Sequence, residues 1–187
     1  MTPLDLVRQA CPIINDTGWA YYFTPETQAK GAELGLKGPM FYFAGRGGVL
    51  GDCDADVVTA AFGYFNPAVI RRAWESATSI RPAREIGRAH FECCADLGRQ
   101  KLGGVANLAA FVEAADAVNE AAEPDGLALY AAFKAEPLAQ DLAGRAMQLV
   151  AVLREFRGSA HLIAVRASGL TTKQAHFSKR PNDVAMF

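Results

Sequence analysis

Apolar and polar positions recur at helical spacing along almost the whole chain, and no stretch alternates with period two among β-branched residues. Leu4 to Ala10 has this pattern. Pro12 interrupts it, and Ile13 to Phe23 follows, rich in aliphatic and aromatic groups. Thr24-Pro25-Glu26 predicts a helix start, with Thr24 as N-cap, Pro25 at the first helical position and an acid in the first turn, running to about Gly35. Met40 to Gly45 predicts a short helix. Asp54 or Asp56 caps Val57 to Phe65, and Asn66-Pro67 opens Ala68 to Ala77. Pro82 starts a helix through Leu102, and Val105 to Ala122 follows after Gly103-Gly104. Leu127 to Phe133 is short and apolar, and Pro137 opens a long helix from Leu138 to Phe156. Gly158 marks a break before Ser159 to Ser168. Gly169-Leu170-Thr171 is a turn, and Thr171 or Thr172 caps a last helix into Phe177. Alanine, leucine, arginine and glutamate dominate, so the fold class is all-α, a compact bundle of roughly eight to ten helices. A helical domain over residues 1–178 and a tail or linker over 179–187 are expected.

The stretch from Gly31 to Trp74 departs from this regularity. Six glycines (Gly31, Gly35, Gly38, Gly45, Gly47, Gly48) precede Gly51, among the aromatics Phe41, Tyr42, Phe43, Phe62, Tyr64 and Phe65. Glycine costs about 1 kcal/mol in a helix interior relative to alanine, so such density points to close backbone approach or positive φ. The stretch is expected to form a close-packed corner holding a pocket.

Length and composition set outer bounds. The 187 residues fit one domain able to bury about 70% of its unfolded surface. The net charge of −1 gives no overall basic field for nucleic acid, although a local patch is allowed. Cys11, Cys53, Cys93 and Cys94 form no CxxC pair and no framework spacing, which suits reduced thiols in a cytoplasmic protein. No secretory leader pattern is visible, and no window approaches the ~18 apolar residues of a membrane span. No membrane partner is expected.

Two ordered blocks carry a family resemblance. The first comprises Tyr22-Phe23, Pro25-Glu26, Leu34-Gly35-Leu36, Gly38, Tyr42-Phe43-Ala44, Arg46, Leu50-Gly51, Val58, Ala60, Phe62, Phe65, Pro67 and Ile70. The second comprises Leu153-Arg154-Glu155, Arg157-Gly158, His161, Ala164 and Gly169-Leu170. In these blocks the chain resembles the actinobacterial SalK-like helix-turn-helix family. The resemblance implies a helical fold and a regulator-like role, and it carries over no established catalytic residue. It also implies a winged-helix-like segment starting near Phe187, so a shortened or truncated member is expected, and DNA binding by this chain is in doubt.

Several side chains are candidates for chemistry. Arg46 suits an acidic ligand group, through its fork of donors, or a structural role pairing with Asp52 or Asp54. Tyr22, Phe23, Phe41, Tyr42, Phe62 and Phe65 suit an apolar pocket or plain core. Asn66 borders that set. Arg157 and His161 share a helix face if the helix continues through Gly158, and with Glu155 they suggest a polar cluster. His161 could serve as an acid or base, a metal ligand or a haem ligand, or be a hydrogen-bonded structural histidine. The run Arg88 to Cys94, with His90, Glu92, Cys93 and Cys94, has residue types that suit zinc or iron, but no second ligand pair follows, so no metal is expected. No GxSxG nucleophile, dinucleotide fingerprint or Walker lysine is present, and the residues specify no cofactor. Ser159 to Ser178 has a helix-turn-helix shape, with local positive charge from Lys173, Lys179 and Arg180. The leading expectation is a sensor-like domain for a small apolar or weakly acidic molecule, bound by Tyr22, Phe23, Phe41, Tyr42, Arg46, Phe62, Phe65, Asn66, Arg157 and His161. The alternatives are an enzyme of secondary or lipid metabolism using His161, and a DNA-binding or dimerising module. A homodimer stays open.

Overall fold

The structure, a computed structural model, describes residues 5, 21–63, 66–179 and 181–182. The helices expected within residues 4–20, and Phe65 among the candidate site residues, lie outside these. The described residues contain nine α-helices: α1 (Pro25–Glu33), α2 (Met40–Gly47), α3 (Ala55–Phe62), α4 (Pro67–Thr78), α5 (Ala83–Leu102), α6 (Leu108–Ala121), α7 (Ala128–Lys134), α8 (Leu142–Ala167) and α9 (Thr172–Lys179). Short 3-10 turns at Tyr21–Phe23 and Gly48–Leu50 complete the set. The fold is all-α, a compact bundle.

Local chemistry sets the helix ends. Thr24 caps α1 by accepting from the Thr27 amide at 3.3 Å, and Asn66 caps α4 by accepting from the Ala68 amide at 3.0 Å. α3 stops at Phe62 rather than Phe65 because Gly63 takes the left-handed conformation at φ 59°. α6 begins at Leu108 rather than Val105, after Asn107 turns the chain at φ 61°.

The long C-terminal helix differs from expectation at two places. It begins at Leu142, not Leu138, because Asp141 is its N-cap, accepting from the Gly144 amide at 2.8 Å. The preceding loop is held by Gln148, whose Oε1 accepts from the Ala139 amide at 2.7 Å while its Nε2 donates to the Phe91 carbonyl at 3.0 Å. The helix also runs unbroken through Gly158 to Ala167. The buried side chains of Glu155 and Leu162, on either side of Gly158, pin one face to the core. That anchoring outweighs the ~1 kcal/mol propensity cost of the glycine.

α5 and α8 are the two longest helices and pack against each other at the centre. α2 crosses α5 on one side, α4 packs on α2 and α3, and α6 and α7 flank α8. The crossings are close because glycines stand at them. A Cβ on Gly45 would lie 2.6 Å from the His90 ring, and one on Gly48 would lie 2.3 Å from the Ala83 carbonyl oxygen. A Cβ on Gly98 would lie 2.2 Å from the Ala143 carbonyl oxygen, where α5 meets α8. The expectation that the glycine-rich stretch packs backbones closely therefore holds at Gly48, while at Gly45 the space is taken by the His90 side chain.

These glycines give opposite outcomes on substitution. Gly48→Ala forces backbone apart and is expected to cost about 1–3 kcal/mol. Gly158→Ala meets no described atom within 4 Å and lies in a helix interior, so it is expected to stabilise by about 0.5–1 kcal/mol. Thermal unfolding followed by circular dichroism checks both, and a destabilised Gly158→Ala would contradict the continuous helix.

Candidate functional site

α2 carries an apolar run, Phe41, Tyr42, Phe43 and Ala44, into the core, and Arg46 follows one helical turn after Tyr42. Taking a guanidinium out of water is costly unless its charge and donors are answered. The answer comes from α8. Arg46 Nε donates to Glu155 Oε1 at 2.8 Å and Nη2 donates to Oε2 at 2.7 Å, a two-point fork with side-chain exposures of only 13% and 3%. Arg46 Nη1 donates to the Tyr42 hydroxyl at 2.7 Å, and the Tyr22 hydroxyl donates to Glu155 Oε1 at 3.1 Å. Rings complete the enclosure: the guanidinium carbon lies 4.5 Å from the Phe62 ring centre, 5.1 Å from Tyr42 and 5.6 Å from Tyr22.

This node corrects one expectation. Arg46 pairs with neither Asp52 nor Asp54. Those two acids, with Cys53, Trp74, Thr78 and Ala83, line a shallow depression of about 290 Å³ that shares no residue with the node. Its partner is Glu155, 109 residues along the chain. A signal for this existed in the sequence. Glu155 shares a helical face with the apolar Val152 and Leu162, and an acid on such a stripe calls for a buried cation.

Electrostatics follow from the enclosure. Burial opposes the Arg46 charge, but the Glu155 carboxylate and the two tyrosine hydroxyls overcome it and hold the guanidinium more firmly protonated than usual. Burial, with the neighbouring Glu155 charge, pushes the Tyr22 hydroxyl well above the usual tyrosine range, and burial raises Tyr42 as well. His90 of α5 lies parallel to the Tyr22 ring at 5.7 Å and edge-on to Phe41 at 5.3 Å. Burial, helped by the Arg46 charge, lowers its pKa to about 3, so it is a neutral core imidazole at neutral pH.

With this geometry in view, the sequence profile of a helix-turn-helix family matches the chain over residues 7–185. The chain belongs to this helix-turn-helix family. No curated protein and no solved structure matches it. In this helix-turn-helix protein, the segment with the expected shape is α8, a turn over Ser168 to Thr171, and α9. Gly169 makes the turn at φ 76°. Thr171 and Gln174 close a reciprocal cap: the Thr171 amide donates to Gln174 Oε1 at 2.9 Å, and the Gln174 amide donates to Thr171 Oγ1 at 3.2 Å.

The remaining candidates are dispersed around the node of the helix-turn-helix protein. Tyr22, Tyr42, Arg46 and Phe62 converge on it. Phe41 points to His90 instead, and Phe23 is 51% exposed while stacking on Tyr42 at 5.4 Å. Asn66 is occupied in capping α4. Arg157 is exposed, two residues beyond Glu155 and therefore turned about 200° away from it around α8. His161 is half-buried on the same long helix, also turned away from the Glu155 direction. Arg154 lies over the Tyr22 ring, its guanidinium carbon 4.9 Å from the ring centre. Among the described residues, no three His, Cys, Asp or Glu side chains stand close enough to hold a metal, and no helix is long and apolar enough to cross a membrane.

Two outcomes follow from the node. Arg46→Met leaves the Glu155 carboxylate buried without its cation and is expected to cost about 3–5 kcal/mol, most of it recovered in the Arg46→Met/Glu155→Met double variant. Chemical denaturation of the four chains checks this, and additive losses would mean the pair is not coupled. Stability also depends on pH at both ends. The lowered His90 pKa means the unfolded chain binds its proton first, so stability is full above about pH 6.5 and falls toward pH 3. Its share between pH 7 and pH 4.5 is about 2–3 kcal/mol, and a His90→Gln chain should lose correspondingly less. The raised Tyr22 and Tyr42 values act oppositely, with their contribution present below about pH 10 and lost as pH rises further.

Proposed function

We propose that this chain is a sensor-like helical domain of a cytoplasmic transcription regulator of the actinobacterial SalK-like group, and that it binds a small apolar or weakly acidic molecule. The observation that supports the reading is the rim of the buried node. Phe23 is half-exposed, yet its ring stacks on Tyr42, whose hydroxyl is bonded to Arg46. The exposed face of Phe23 beside an ordered charged network offers a ligand an apolar contact and a polar one together. Arg154, over the Tyr22 ring, brings a second guanidinium to the same rim. In this reading Arg46 acts as an organiser. Three of its donors are engaged by Glu155 and Tyr42, so it holds the rim rings in place, and an acidic ligand group meets the Arg154 side. Arg157 and His161 extend the polar surface along α8. A homodimer is compatible with this arrangement.

The test uses 1-anilinonaphthalene-8-sulfonate, an apolar probe with one acidic group. The intact chain is expected to bind it with a fluorescence rise, and Phe23→Ala is expected to weaken binding about tenfold with the unfolding midpoint nearly unchanged. Equal binding by Phe23→Ala, or no binding by the parent chain, would sink this reading. Native mass spectrometry of the protein as purified adds the identity of any natural occupant.

A further inference from the structure

α6 is apolar on two sides at once. One side, with Val112 and Ala115, packs on Ala146 and Leu149 of α8. The other faces water: Phe111 is 43% and Val118 52% exposed, and Ala110, Ala114, Ala117 and Ala121 are exposed beside them. These residues recur at spacings of three, four and seven, so they form one strip along the helix. The alanines have the 4-3-4 spacing of a helix-pairing seam. A helix that is apolar all round is normally buried. α6 packs one side inside the bundle and leaves the other open among the described residues.

Charge points to what covers the strip. Residues 102–133 hold Glu113, Asp116, Glu120, Glu123 and Asp125 and no Lys or Arg, a charge of −5. Glu113 and Glu120, both exposed and seven residues apart, border the strip along one edge. Residues 156–178 are the converse, with Arg157, Arg166 and Lys173 and no acid, a charge of +3. There the second half of α8 exposes Ile163, Ala164 and Ala167 beside an exposed Arg166. One apolar strip thus has an acidic edge and the other a basic edge, which makes them complementary. They are also neighbours: a Cβ on Gly126, in the loop after α6, would lie 3.6 Å from Ile163 Cδ1. Both strips are exposed, so they do not cover each other within one chain. A two-fold axis sets each against its opposite in a second copy and makes the contact twice. The doubling matters because α6 is only about 21 Å long, and one such strip falls short of the ~800 Å² per partner that a stable interface buries. Antiparallel pairing of α6 with α6 would instead set Glu113 and Glu120 against the same acids, and like charges oppose that contact.

We propose that this chain forms a two-fold dimer in which the Phe111–Val118 strip of α6 docks on the Ile163–Ala167 strip of α8 in a second copy, with Glu113 and Glu120 facing Arg166 and Lys173. This gives the homodimer of the proposed function a specific pair of surfaces. It uses none of Tyr22, Phe23, Tyr42 and Arg154, so the dimer and the ligand rim are tested separately.

Sedimentation velocity of the full chain between about 1 and 100 µM tests it, and the expected species is a dimer of twice the 20.0 kDa chain mass. Phe111→Ser/Val118→Ser is expected to weaken dimerisation about tenfold or more. Glu113→Lys/Glu120→Lys and Arg166→Glu/Lys173→Glu are each expected to be monomeric alone, since like charges then meet in both contacts. Their equimolar mixture is expected to restore the dimer, because in the mixed pair one contact has its charges exchanged and the other is as in the parent. Circular dichroism confirms that every chain is folded. A monomeric parent at the highest concentration, a parent-like dimer from Phe111→Ser/Val118→Ser, or a mixture that stays monomeric would each overturn the proposal. So would tighter dimerisation by Glu113→Lys/Glu120→Lys alone, which would assign the seam to α6 against α6. A monomeric parent that still binds the sulfonate probe would remove this dimer and leave the ligand reading in place.

Discussion

Everything described in this bundle accommodates one ion pair that has been taken out of water. An isolated guanidinium in an apolar interior is prohibitively unfavourable, and so is an isolated carboxylate. Together, with both carboxylate oxygens engaged and two tyrosine hydroxyls supplying the remaining bonds, Arg46 and Glu155 are tolerable there. Such a pair adds little net stability compared with apolar side chains of the same shape. Its effect is selective, since any arrangement of α2 and α8 that separates the two charges is heavily penalised. The register of α2 against the rest of the bundle therefore follows from Arg46 having one acceptable partner.

The glycines serve the same arrangement. The node can form only if α2 lies almost in contact with α5, and Gly45 within α2 and Gly48 just after it are where that contact occurs. The His90 ring occupies the space that a Cβ on Gly45 would need, and stacks on Tyr22 from the other side. One imidazole thus links the helix crossing to the charged network, which is why its neutrality matters to the fold as a whole.

Much of this was legible in the sequence, and the failures have definable causes. Thr24 and Asn66 announce helix starts through chemistry that acts within four residues and are read locally, whereas Gly63 ends α3 earlier than its apolar pattern suggests. The glycine-rich stretch announces close packing without saying against what. Gly158 misleads because propensity is a local quantity, while the anchoring of Glu155 and Leu162 is not. Pro137 misleads because Asp141, four residues on, makes the better cap and Gln148 ties down the loop between them. The partner of Arg46 stays hidden for a related reason. Asp52 and Asp54 are near in sequence, and nothing in a single chain weighs them against a glutamate on a distant helix except the apolar company that glutamate keeps.

The separation of the two charges along the chain has a consequence for how the protein is made. Arg46 leaves the ribosome 109 residues before Glu155. At cellular elongation rates of 5–20 residues per second, the guanidinium spends about 5–20 s without its counter-ion. Tyr22 waits longer still for the same carboxylate, across 133 residues. During that interval α2 has no reason to settle into an apolar interior, and the aromatic residues around it remain accessible to water and to chaperones. The Arg46–Glu155 pair can therefore close only once Glu155 on α8 has been made, although the helix that carries Arg46 was made long before.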